Sequence, residues 1–165
     1  MNYLNINNKM NNTISRIAKL HPKLRADLPL ILADIHIKGI SISITQGLRT
    51  IDEQNQLYAQ GRTKPGPIVT QAKGGTSFHN YGLAIDFALL HSDGSVSWSI
   101  TEDTNSNKLK DWDEVVQSFL KFGWEHGDRG YFDNCHFQKV FNLTPQDCLN
   151  KLNNKEIDKD GYIII

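Results

Sequence analysis

An α+β fold, with a small and mostly antiparallel sheet flanked by helices, is predicted by three features of the chain. Ile40-Ser41-Ile42-Ser43-Ile44-Thr45-Gln46 alternates apolar and polar residues, the period-two pattern of a half-buried strand. Asp111 to Phe122 sets Trp112, Val115, Val116, Phe119 and Leu120 on one helical face. Regular strand–helix–strand units are not evident, which argues against a parallel doubly wound sheet. The 165 residues carry a formal net charge of zero. That length fits one domain with a real core. That charge offers no electrostatic case for a nucleic-acid or membrane partner.

The elements follow in chain order. Residues 1 to 12 are Asn-rich and show no apolar run of a secretory signal. A flexible tail is expected there, followed by one folded domain over 13–165 that works as a monomer. Thr13 can cap a short helix carrying Ile14, Ile17, Ala18 and Leu20. Pro22 suits the first turn of a second helix toward Lys38, with Pro29 kinking or splitting it and Gly39 as its stop. Thr50 and Glu53 have capping-box spacing for a helix that ends at Gly61. Residues 61 to 77, rich in Gly and Pro, read as a long and therefore often functional loop. Gly82 to Leu90 reads as a strand, Ser92-Asp93-Gly94 as a turn into Val96 to Ile100, and Tyr131 to Gln138 as containing a further strand. Thr144-Pro145 opens a last helix to about Leu152. Asp158-Lys159-Asp160-Gly161 begins like a calcium loop but lacks the later acidic ligands, so a turn is expected. Cys135 and Cys148 are too few for a disulfide framework, and reduced thiols are expected.

Two stretches hold candidate chemistry: Ser77 to Asp86 and Asp133 to Gln138. Together they offer His79, Asp86 and His136, with Asp133 spare, an inventory that suits catalytic zinc. Taken singly, each has an ordinary alternative. Asp86 shares a strand face with Ala84 and Ala88 and needs either solvent or a partner charge. His79 can be a plain loop residue, although Gly82 permits a tight turn that brings it toward Asp86. Ser77 and Asp133 can be turn residues, and Arg49, at a strand end, a surface cation. On a regular strand Cys135 faces away from His136, and Asp133 shares a face with His136 only if the chain bends between them. His21, His36, His91 and His126 lie outside any ligand-like pair and read as structural or exposed.

Four segments occur in a familiar order: Gln46-Gly47-Leu48-Arg49-Thr50; Glu53-Gln54-x-x-Leu57-Tyr58-Ala59-Gln60-Gly61-Arg62-Thr63; Ser77-x-His79-x-x-Gly82-x-Ala84-x-Asp86; and Asp133-x-x-His136-Phe137-Gln138. This resembles the zinc peptidases of the D-alanyl-D-alanine carboxypeptidase (VanY-like) superfamily, and within it the L-alanyl-D-glutamate endopeptidases of phage endolysins and some bacterial cell-wall hydrolases. The resemblance implies a hedgehog/D,D-peptidase-like fold. It implies one Zn²⁺ held by His79, Asp86 and His136, with Asp133 as general base. It also implies Arg49 as substrate-binding and oxyanion-stabilising cation and Ser77 at the substrate edge. Cys135 stands where close relatives usually have Pro. The implied substrate is the peptidoglycan stem peptide, cut at L-Ala–D-Glu. The alternatives are D,D-carboxypeptidase or dipeptidase action, or a non-catalytic zinc-binding module on the same fold. With no signal peptide visible, synthesis in the cytoplasm and action on the wall after lysis or non-classical export are expected.

Overall fold

The computed structural model describes residues 2–127 and 134–165. Where the sequence predicts a tail and a helix from Thr13, one helix, α1, runs Asn2–Ala18. Asparagine is a weak helix former, but tertiary contact overrides propensity. Ile6, Thr13 and Ile17 recur on one side and are at least half-buried. Thr13 is not a cap: its hydroxyl accepts from the Ile44 N–H at 3.1 Å, while Arg16 Nη1 donates to the Ile44 carbonyl at 2.9 Å. Helix α1 therefore covers the outer edge of the first strand, which would otherwise be an open template for pairing.

Helix α2 (Pro22–Ile37) is capped by His21, whose Nδ1 accepts from the Lys23 N–H at 3.2 Å. The His21 Nε2–H donates to the Ile163 carbonyl at 3.0 Å, tying the chain's end to the α1–α2 junction. Pro29 does not split the helix, which runs through it without interruption. Pro29 is exposed, and buried Leu24, Leu28, Ile31 and Ile35 anchor the helix on both sides of it. The carbonyl that the ring strands thus lies on the wet face.

The remaining elements are β1 (Ile42–Gln46), α3 (Ile51–Ala59), a 3₁₀ turn (Phe78–Tyr81), β2 (Ala84–Leu90), β3 (Val96–Ser97), α4 (Asp111–Lys121), β4 (Glu125–His126), β5 (His136–Gln138) and α5 (Pro145–Asn153). Thr50 and Glu53 form the predicted reciprocal cap of α3, and Thr144 with Asp147 forms one at α5. Asp158 accepts from the N–H groups of Asp160 and Tyr162, so that segment is the expected turn. The two-residue β4 carries no alternation to read and is absent from the sequence expectation.

The sheet is antiparallel, in the order β1-β2-β5-β4, with β3 on the far end of β2. Ile42, Ile44, Ile85, Phe87 and Phe137 form its buried face. Helix α4 packs there, with Trp112 on Phe87 at 4.4 Å and Phe119 stacked on Phe137 at 4.2 Å between ring centroids. Asp34 of α2 accepts from Ser118 and Lys121 of α4, each at 2.8 Å. Cys148 is wholly buried, and burial pushes its thiol up to about 11. Cys135 packs half-buried against the same core and forms no disulfide with it. No helix among the described residues is long and apolar enough to cross a membrane.

Candidate metal centre

Strand pairing brings the two sequence-distant stretches together. Asp86 of β2 lies directly opposite His136 of β5. On the other side of β2, a bulge at the end of β1 sets Gln46 against Asp86 and aims the chain toward Arg49. His79 enters from the 3₁₀ turn, whose stop is Gly82 in the left-handed conformation at φ 67°. A Cβ at Gly82 would meet the His21 backbone nitrogen at 2.8 Å. Gly82→Ala is expected to cost about 2 kcal/mol or more. A thermal melt should show that as a Tm lowered by about 4 to 8 °C.

His79 Nε2 lies 3.3 Å from Asp86 Oδ1, His136 Nδ1 lies 3.1 Å from the same oxygen, and the two nitrogens are 3.2 Å apart. Among the described residues this is the one group of three or more His, Cys, Asp or Glu whose ligand atoms all lie within 4.8 Å of one another. The outer ring nitrogens fix the tautomers. His79 Nδ1–H donates to the Gly47 carbonyl at 2.8 Å. His136 Nε2–H donates to Gln138 Oε1 at 3.2 Å, and Gln138 is oriented by donating its own amide to Glu125 at 3.1 Å. In the neutral rings, then, two nitrogen lone pairs and a carboxylate oxygen converge on one point. That arrangement is repulsive until a cation occupies it. Tetrahedral zinc with bonds near 2.0 Å sets its ligands about 3.3 Å apart, so the donor set fits that ion. When the two rings are instead protonated, burial still pushes the Asp86 carboxyl up, but their hydrogen bonds to it and their charge outweigh that push and hold it well below the usual carboxylate range.

Arg49 Nη2 stands 3.9 Å from Asp86 Oδ2 and is oriented through Nη1, which donates to Gln54 Oε1 at 2.7 Å. Gln54 is fully buried and donates in turn to the Ala72 carbonyl at 2.8 Å, so the long loop sets the arginine's position. Asn80 donates to the Arg49 carbonyl at 2.9 Å and joins the same frame. A groove of about 500 Å³ runs from Arg49 along α3 past Leu48, Leu57, Gln60 and Lys64. Ser77 is half-buried at the start of the 3₁₀ turn, two residues before His79, and makes no capping hydrogen bond. Asp133 lies outside the described residues. His21 is a helix cap, His91 pairs with Glu102 at 2.8 Å, and His126 stacks on Phe137, all apart from the three candidate ligands.

The residues that orient the ligands were not read from the sequence. Gly47 acts through its carbonyl, which no side chain advertises. Gly127 leaves room for His136, whose Cβ a side chain there would meet at 2.9 Å. Gln138 could have been found from its strand alternation with His136, since residues two apart share a face. Gln138→Leu is expected to weaken metal binding about 10- to 100-fold, as loss of a ligand's orienting acceptor typically does. Competition with a chromogenic chelator measures it.

The chain belongs to the VanY family, D-alanyl-D-alanine carboxypeptidase, whose profile matches residues 17–136 and so spans every candidate site residue. It is 46% identical over 125 residues to the peptidoglycan L-alanyl-D-glutamate endopeptidase CwlK of Bacillus subtilis (strain 168), across 74% of this chain and 75% of that protein. The crystal structure of the Serratia marcescens L-Ala D-Glu endopeptidase ChiX is similar in fold, with a TM-score of 0.53 and 21% identity over 79% of this chain and 87% of that one.

Proposed function

We propose that this chain is a zinc peptidase that hydrolyses the L-Ala–D-Glu bond of peptidoglycan stem peptides. The observation that carries the metal is the convergence of His79, Asp86 and His136 at the ligand spacing of a tetrahedral ion. The likeness to an endopeptidase at 46% identity carries the bond. Zinc held there supplies Lewis acidity to a water and to the scissile carbonyl. Asp133 takes the water's proton and returns one to the leaving amine. Arg49, pinned by Gln54, sets its charge where negative charge develops on the carbonyl oxygen. Two neutral imidazoles and one carboxylate leave a dication net +1, which favours that charge. The stem peptide lies along the groove beside Arg49, with Ser77 at its edge. The enzyme acts as a monomer on the wall, reached after lysis or non-classical export.

The family's own description keeps D,D-carboxypeptidase action as the second reading. Digestion of purified wall followed by mass spectrometry of the new termini separates the two. New amino termini on D-Glu support the endopeptidase, and release of free D-Ala alone overturns it. A chelator should abolish either activity and zinc should restore it.

A further inference from the structure

The loop between α3 and the 3₁₀ turn is placed by side chains rather than by backbone pairing. Residues 65–73 belong to no helix or strand. Yet one carbonyl of this stretch, that of Ala72, holds the Gln54 amide that orients Arg49. The placement of Arg49 thus depends on whatever fixes that carbonyl. Arg62, three residues past the end of α3, does so from the start of the loop. Its Nη1 donates to the Tyr58 carbonyl at 2.7 Å and to the Thr70 carbonyl at 3.1 Å, and its Nη2 donates to Gln71 Oε1 at 2.7 Å. The guanidinium also lies over the Tyr58 ring, 3.9 Å from its centroid. One planar fork therefore joins the last turn of α3 to the far arm of the loop, through charge-assisted bonds of fixed direction. That arm returns close over its own start: a Cβ at Gly61 would meet the Ile68 backbone nitrogen at 2.6 Å.

From Thr70 the contacts run inward. Thr70 Oγ1 accepts from the Ala72 N–H at 3.1 Å and from Gln54 Nε2 at 3.4 Å. The Gln54 amide has one orientation that serves both of its neighbours. Its oxygen must face the Arg49 guanidinium, which only donates, and its nitrogen must face the Ala72 carbonyl, which only accepts. Gln54 is fully buried, so losing either neighbour leaves an unmatched polar atom that water does not reach. The two arginines are thus joined through a chain of contacts with no slack.

We propose that Arg62 is a positioning residue for the reaction. It clasps residues 70–72 against α3 and, through Gln54, holds the Arg49 guanidinium where the scissile carbonyl oxygen gains charge. This rests on the peptidase reading given above. Arg62 binds the loop and Tyr58, and its effect reaches the chemistry only through Arg49. Because Arg49 acts on charge that develops in the transition state, displacing it costs turnover rather than substrate affinity. A displacement of about 1 Å is enough to cost about 10²-fold.

Steady-state hydrolysis of a synthetic stem peptide containing the L-Ala–D-Glu bond tests this, with zinc-loaded R62A and R62K checked for zinc content and by circular dichroism. In R62A, kcat is expected to fall about 10- to 100-fold while KM stays within about twofold. R62K keeps the charge but not the fork, so it should lose nearly as much, and it reads the same effect if R62A fails to fold. In an R49A background the change at Arg62 should cost less than about twofold more, since residues that act through one group are not additive. A raised KM with kcat unchanged, or losses that simply multiply in the double variant, overturns the proposal. Side-chain nitrogen NMR supplies a reading that needs no turnover. The Arg49 guanidinium should show hindered rotation in the wild type and free rotation in R62K. Equal behaviour in the two overturns the proposal, whereas a wild-type protein that cleaves no stem peptide overturns the peptidase assignment alone.

Discussion

Asp86→Ala is expected to empty the metal centre and to lower wall-peptide hydrolysis by about 10³-fold or more, several kcal/mol of transition-state stabilisation. Asp86 is the sole anion among the three candidate ligands, and its Oδ1 touches both imidazole nitrogens, at 3.3 and 3.1 Å. Without it a dication faces two neutral rings and the nearby Arg49 guanidinium, with nothing to offset their charge. Elemental analysis of the purified variant should find zinc far below one equivalent. Full zinc content with full activity would show that the ligand set is wrong. Asp86→Asn is the sharper companion, since it keeps the shape and removes only the charge.

The second large effect separates binding from chemistry. Asp133→Ala should keep zinc at one equivalent and leave the melting curve unchanged, yet lower kcat by about 10² to 10⁴, the usual weight of a positioned proton-transfer group. Asp133 lies outside the described residues, and its role rests on standing three positions before His136. A variant that retains wild-type turnover would move the base elsewhere. The pair of experiments is informative together: one variant loses metal and activity, the other activity alone.

Much of this was legible in the sequence because it follows local rules. The alternation of Ile42, Ile44 and their polar neighbours, the box at Thr50 and the Thr144-Pro145 helix start are short-range signals, and the elements appear where predicted. The centre itself was legible only as an ordered set of segments, since strand geometry alone left Asp86 and His79 open to ordinary readings. Two things escaped. Helix α1 depends on contacts with Ile44 rather than on the propensity of its asparagines. Pro29 breaks nothing, because buried leucines and isoleucines hold both flanks.

The pairing of Asp86 with His136 carries a further consequence. These two candidate ligands are cross-strand neighbours in the middle of the domain, so the affinity of the proposed centre would be a property of strand registration. A shift of β5 by one residue would present Cys135 or Phe137 to Asp86 and send the imidazole to the opposite face. A metal held there would be tied to the central ladder rather than to a terminus, so opening of the ladder would release it. Amide hydrogens of Ile85 and Phe137 should therefore exchange at the rate of global unfolding, and zinc should slow them in proportion to its own affinity.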